Sequence, residues 1–168
     1  KEYTATLQLG ATTASYDMEH EVNAVYPTTG ITRERIEEVL AQFVGDIQQV
    51  PPTYSACKVN GNRAYELRRK GRDVELAPKN IHIDAIDILG FDADEMRLDI
   101  RVACGKGTYI RALARDIGRA LGSGAYLTAL CRTRVGAFRM EDSIAFDSFA
   151  EWLDNQKIEN NEEENKQI

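Results

Sequence analysis

The chain has 168 residues, is 43% hydrophobic and 29% charged, and carries a formal net charge of −6, the size and composition of one soluble domain able to bury a core. No apolar run approaches the ~20 residues of a membrane span, and strand-like alternation at the amino terminus argues against a signal peptide. Three cysteines (Cys57, Cys104, Cys131) are odd in number and lack CxxC spacing, and His20 and His82 stand far apart; this excludes a disulfide framework and a structural metal site, and points to reduced thiols in a cytoplasmic protein.

Tyr3, Ala5, Leu7 and Leu9 alternate and predict a first strand over 3–9. A Thr- and Ser-rich loop follows to Asp17, then a short strand over 21–26 and a turn at Pro27-Thr28-Thr29-Gly30. Thr32 is placed to cap a helix whose apolar stripe is Ile36, Val39, Leu40 and Phe43, closed by Gly45. Pro51-Pro52 forces an extended approach to residues 54–59, and Asn60-Gly61 is a turn signal. A short basic helix is expected over 62–70, stopped by Gly71. Ile81, Ile83, Ile86, Ile88 and Phe91 predict a strand with one change of phase, as a bulge produces. Residues 92–95 turn the chain into a strictly alternating strand over 96–104. Ile110, Leu113, Ile117 and Leu121 predict a helix within 108–121, ended by Gly122. Cys131, Thr133, Val135 and Ala137 alternate with Arg132 and Arg134, which gives a strand a basic face. Phe146, Phe149, Trp152 and Leu153 are read as one face of a last helix, and 156–168 as an acidic, disordered tail. Strands joined by short turns outnumber helices, so the fold class is α+β: a mostly antiparallel mixed sheet flanked by helices.

The net charge conceals its distribution. Residues 141–168 hold two Lys and nine Asp/Glu, and the remaining 140 hold 19 Lys/Arg and 18 Asp/Glu. The body is therefore nearly neutral and the acidity sits at the carboxy end. Within the body, Lys58, Arg63, Arg68, Arg69, Lys70 and Arg72 oppose only Glu66. Such a cluster is either a surface for phosphates or a solvated helix face, and spacing alone leaves both open.

The stretch Gly105-Lys106-Gly107-Thr108-Tyr109-Ile110-Arg111 places a Gly-flanked Lys, an aromatic and an Arg where a strand hands over to a helix. Backbone N–H groups and cations there can hold an anion, and Tyr109 offers a face to a base. The spacing does not match the nucleotide-hydrolase loop, which needs four residues between its first Gly and its Gly-Lys. Tyr3, Tyr54, Tyr65 and Tyr109 are core aromatics or, beside Lys and Arg, stacking platforms. Asp17 reads as a turn residue and Asp116 as half of a helix-face ion pair. There is no Ser/His/Asp pattern and no His placed as a general base, so the residues name no nucleophile.

Taken in order, these blocks resemble the TruB family of bacterial tRNA pseudouridine synthases. The resemblance runs from Lys1 to about Phe138. It is carried by Lys1-x-Tyr3, Leu9-Gly10, Asp17, Gly45, Gln49, Pro51, Tyr54-Ser55-Ala56, Lys58, Gly61, Tyr65, Arg69 and Gly71. It continues through Lys106 to Arg111, Asp116, Gly118, Leu121-Gly122-x-Gly124-Ala125, Leu130 and Arg132. The resemblance implies a pseudouridine-synthase fold with an RNA-binding cleft, no metal or organic cofactor, and the T-loop of tRNA as partner. The uridine at tRNA position 55 would be flipped out, attacked by an Asp, and reattached through carbon 5.

By position, Tyr3 is then the aromatic that stacks on the flipped base and Tyr109 a second pocket aromatic. Arg111 is the partner of the catalytic carboxylate, and Leu130 an apolar wall. Lys58, Arg63, Arg69, Arg72, Lys106 and Arg132 are the expected RNA contacts. The family's Gly-x-Leu-Asp-Pro segment, which carries the nucleophile, does not occur in these residues. The chain thus reads as the carboxy-terminal part of a catalytic domain over 1–155, monomeric and inactive by itself, with Arg111 exposed or taken by another acid. Tyr126 and Cys131 depart from the family pattern, and no PUA domain is expected in these residues. The competing expectations are a non-catalytic RNA-binding module and, least favoured, a nucleotide-binding enzyme using the 105–108 loop.

Overall fold

Leu7, Leu98, Ile100 and Val102 are fully buried, while Thr6, Asp99 and Arg101 between them are not; this two-residue period builds the centre of the sheet. The computed structural model describes residues 1–55, 58–59, 62–63 and 76–164, with the backbone alone for 58–59, 62–63 and 157–164. Its strands are β1 (Glu2–Leu9), β2 (Ala11–Thr13), β3 (Val22–Val25), β4 (Gly45–Gln49), β5 (Lys58–Val59) and β6 (Asn62–Arg63), followed by β7 (Lys79–Asp92), β8 (Arg97–Cys104), β9 (Ala125–Val135) and β10 (Phe138–Arg139). Helices α1 (Arg33–Ala41), α2 (Ile110–Ala120) and α3 (Phe149–Glu164) complete the described fold. The main sheet has the order β10-β9-β1-β8-β7-β4, and each of its pairings is antiparallel. The expected antiparallel α+β architecture is therefore the observed one.

Both helices α1 and α2 cover one face of this sheet. Ile36, Val39 and Leu40 of α1 and Ile110, Leu113 and Ile117 of α2 join Ala5, Leu7, Leu9, Ile83, Leu98, Ile100 and Val102 in one core. Thr32 caps α1 as expected, its hydroxyl accepting from Arg35 N–H at 3.2 Å. The opposite face is polar: Thr6 donates to Asp99 at 2.6 Å, and Arg101 donates twice to Asp87 across β7 and β8. The phase change expected in β7 is real and double, with register shifts at Ile83/Ala85 and Ile88/Gly90.

Several local expectations need correction. Gly45 does not close α1, which ends at Ala41; with φ +100° it opens β4, a strand that the periodicity did not reveal. Its residues Gly45, Ile47 and Gln49 alternate with exposed Asp46 and Gln48, a pattern too short and polar to stand out. The loop expected after Leu9 contains β2, which pairs with β3. The basic segment does not begin as helix: Asn62–Arg63 pairs with Lys58–Val59 across the Asn60-Gly61 signal. Residues 64–70 lie outside the described residues. Phe146 belongs to a short 3₁₀ turn before α3, whereas Phe149, Trp152 and Leu153 lie on that helix at the expected spacing, with their side chains exposed. Helix α3 reaches Glu164, past position 156 where an acidic tail was expected to begin.

Edge strand β4 is tied to β7 by an ion pair. His82 Nδ1 lies 2.8 Å from Asp46 Oδ1, and its Nε2 lies 3.6 Å from Asp84. The hydrogen bond to Asp46, helped by both carboxylate charges, raises the His82 pKa above the usual 6.5. A raised folded-state pKa means that the stabilising contribution is fully present below the unfolded value and disappears as pH rises through the folded one. A proton-NMR titration should therefore find His82 titrating above 6.5, and Asp46→Asn should lower it; an unmoved pKa in that variant would remove Asp46 as the cause.

Candidate active site

The loop between β2 and β3 is built to fix one carboxylate. Tyr16 adopts φ +59°, and its carbonyl accepts from Leu127 N–H of β9 at 3.0 Å. Thr13 Oγ1 donates to Asp17 O at 2.7 Å. Asp17 Oδ1 accepts from the buried Ser15 hydroxyl and from Glu19 N–H at 3.0 Å. His20 Nδ1 lies 3.0 Å from the same Ser15 hydroxyl, and its ring packs 4.8 Å from Tyr54. Asp17 is thus a turn residue, as expected, and much more.

Arg111, in the first turn of α2, completes the arrangement. Its Nη1 donates to Asp17 Oδ2 at 3.0 Å and to Ser15 O at 3.2 Å, and its Nη2 donates to Tyr54 O at 2.7 Å. One guanidinium therefore joins the 15–17 loop, the segment after Pro51-Pro52, and α2. The Arg111 and Asp17 side chains are 23% and 24% exposed, so the pair is screened less than a surface ion pair yet stays within reach of a ligand. The helix is seated there by Gln49, whose side chain accepts from Tyr109 N–H at 2.9 Å and donates to Tyr109 O at 3.2 Å. Asp116 is half of an ion pair, as expected, and its partner is Arg115.

These residues open onto a cavity of about 470 Å³ lined by Asp17, Met18, Glu19, Tyr54, Ser55, Arg111 and residues 127–130 of β9. That volume suits a nucleoside-sized ligand. It combines an apolar wall, Leu127 and the half-exposed Leu130, with an ion pair at its floor. Among the described residues no cluster of three His, Cys, Asp or Glu side chains is placed to hold a metal, and no helix is long and apolar enough to cross a membrane. Cys104 and Cys131 are free thiols.

Of the four expected pocket residues, Arg111 and Leu130 line this cavity; Tyr3 and Tyr109 do not. Tyr3 packs against the core at the start of β1, opposite Arg132 of β9 and Val102 of β8. Tyr109 precedes α2 and is held through its backbone by Gln49. Of the expected RNA contacts, Arg132 is exposed beside Tyr3, whereas Lys106 borders a different depression with Asp46 and His82. Lys58 and Arg63 are placed by backbone only, and Arg69 and Arg72 lie outside the described residues. Sequence reasoning missed the pairing of Asp17 with Arg111, 94 residues apart; no local pattern marks it.

A six-stranded antiparallel sheet covered by two of the three described helices, with an Arg–Asp pair beside a nucleoside-sized cavity, agrees with the similarity of this chain to known proteins. The chain belongs to the TruB family of pseudouridylate synthases: the model of the family's N-terminal domain matches residues 1–110, and that of the tRNA pseudouridylate synthase B C-terminal domain matches residues 111–166. The two matches meet within the first turn of α2, yet strands from both share the main sheet. Among relatives, tRNA pseudouridine synthase B of Bacteroides thetaiotaomicron is 60% identical over 167 residues, covering 98% of this chain and 70% of that protein. The protein of the same name from Phocaeicola vulgatus is 62% identical over 159 residues, covering 95% and 67%. Among solved structures, one in a Cbf5–Nop10–Gar1 complex matches with a TM-score of 0.62 and 27% identity over 93% of this chain; the chain spans 38% of its length.

Proposed function

We propose that these residues are the greater part of the catalytic domain of a tRNA pseudouridine synthase that isomerises the T-loop uridine, acting as a cytoplasmic monomer. The observation that carries the reading is Arg111 held between Asp17 and two backbone carbonyls at the floor of a cavity walled by Leu130. A guanidinium fixed in this way can hold a second carboxylate ionised and oriented beside a bound base. The attacking Asp is assigned to a Gly-x-Leu-Asp-Pro segment outside these 168 residues, and residues 1–155 to one catalytic unit with it. Tyr3 and Tyr109 are assigned to stacking beside the flipped base, and Lys58, Arg63, Arg69, Arg72, Lys106 and Arg132 to RNA phosphates.

The reading divides the chemistry cleanly. Forming a covalent intermediate needs the nucleophile, and positioning groups alone cannot supply it. Tritium release from T-loop RNA labelled at uridine carbon 5 is the test. The protein extended through the Gly-x-Leu-Asp-Pro segment should turn over, and the 168 residues alone should not. Robust turnover by the shorter chain would overturn the assignment of the nucleophile, and none by the longer chain would overturn the proposed function.

A further inference from the structure

Arg111, Arg115 and Arg119 stand four residues apart on α2 and share one helix face. The fold uses the first two internally. Arg111 is met by Asp17. Arg115 is met by both oxygens of Asp116 at 2.8 and 3.0 Å, donates to Val50 O at 2.9 Å, and lies 5.7 Å from the centre of the Tyr16 ring. The Arg119 side chain is exposed and, among the described residues, has neither an ion-pair nor a hydrogen-bond partner. Among the described residues it is the cation of this face whose charge is left unused.

Arg119 borders a second cavity of about 560 Å³, distinct from the one at Arg111. Its walls include Tyr16, Asn23, Tyr26, Thr53 and Arg115, and among the described residues no Asp or Glu lines it. In a chain of net charge −6, a cavity bordered by Arg119, with Arg115 already matched by Asp116 and no carboxylate among its described lining residues, favours an anion. Its aromatic surface is deliberately seated. A Cβ on Gly124 would come within 2.6 and 2.7 Å of Tyr26 ring carbons, so only glycine lets that ring lie on the backbone. Tyr26 remains 38% exposed. Thr12 Oγ1 donates to Asn23 Oδ1 at 2.9 Å, which fixes the amide orientation and leaves the Asn23 NH₂ as a donor. A free guanidinium, an exposed ring and an amide donor in a cavity of this volume match a phosphate, a base and a polar base edge.

We propose that this cavity is a second nucleotide subsite, in which Arg119 takes the phosphate and Tyr26 the base. The chemistry recognised is a nucleoside phosphate, either within an RNA strand or free. As a strand contact the inference rests on the RNA-modifying reading above; as a site for a free nucleotide it does not.

The test titrates a fluorescent T-stem-loop RNA and, separately, adenosine 5′-monophosphate into the 168-residue chain and into its Arg119→Gln and Arg119→Lys variants. Arg119 is exposed, so both variants should keep the wild-type circular dichroism. Arg119→Gln should weaken binding about five- to tenfold at low salt and reduce the RNA salt slope by about one, and Arg119→Lys should restore most of the loss. Competition between monophosphate and RNA would assign the subsite to the strand; Arg119-dependent monophosphate binding that leaves RNA unaffected would assign it to a free nucleotide. RNA binding unchanged in Arg119→Gln, with no Arg119-dependent monophosphate binding, would overturn the subsite and spare the proposed function. Arg119-dependent monophosphate binding with no RNA binding would support the subsite and count against RNA binding by this chain. Binding of neither would overturn the subsite, and the turnover assay of the longer chain would still decide the proposed function.

Discussion

Replacing Arg111 with Lys should lower kcat by about a hundredfold or more in the protein extended through its Gly-x-Leu-Asp-Pro segment, because displacing a catalytic group by an ångström already costs that much. Tm and T-loop RNA affinity should change far less, the latter within a few-fold. The reason is geometric. Arg111 reaches Asp17 and Ser15 O from one nitrogen and Tyr54 O from the other, a planar fork spanning two chain segments. Lysine keeps the charge but is a point donor on a flexible stem and cannot hold both segments at once. Asp17→Asn is the companion variant: it keeps the shape of the carboxylate and removes the charge that Arg111 faces. Single-turnover rates and equilibrium binding of the two variants separate the roles. Near-normal kcat in Arg111→Lys would remove its catalytic function, and an equal loss of binding would make it an RNA contact instead.

Gly118→Ala should destabilise the protein by about 3 kcal/mol, lowering Tm by roughly 6–12 °C for a domain of this size. The sign is the informative part, since alanine in a helix interior is ordinarily better than glycine by about 1 kcal/mol. Gly118 lies in the last turn of α2, against the start of β9. An added Cβ would lie 2.6 Å from Gly124 C and 2.9 Å from Ala125 Cβ, and would also meet Ala125 N. Backbone atoms cannot rotate aside as a side chain can, so either α2 lifts off the sheet or β9 shifts. Both outcomes disturb the face on which Arg111, Arg115 and Arg119 stand. A thermal melt of Gly118→Ala with unchanged or raised Tm would show that the helix and β9 are free to separate.

Strands β1, β7 and β8 and helices α1 and α2 were readable from the sequence because each buries one face. Burial writes its period into the chain: Ala5, Leu7 and Leu9 at every second residue, and Ile110, Leu113 and Ile117 at helical spacing. Strand β4 was not readable, because an edge strand of five residues with Asp46 and Gln48 exposed carries little of that signal. The exposure of Phe146 and Phe149 was likewise hidden: an apolar residue states a preference for burial, and only its surroundings decide whether the preference is met.

At the site, the family resemblance selected Arg111 and Leu130, both of which line the Arg111 cavity, while local pattern marked only Arg111 of the two, as a candidate cation. It could not select Asp17 as the partner of Arg111, because a polar residue in a turn satisfies the same local rules whether or not a distant cation reaches it. Residue pattern alone displayed strands β1, β7 and β8, the two covering helices and the family resemblance. The tertiary structure decided which charges meet. Hydrophobic burial has a period that a single segment can display, whereas an ion pair between residues 17 and 111 depends on how the loop after β2 and the start of α2 are carried together by the sheet between them.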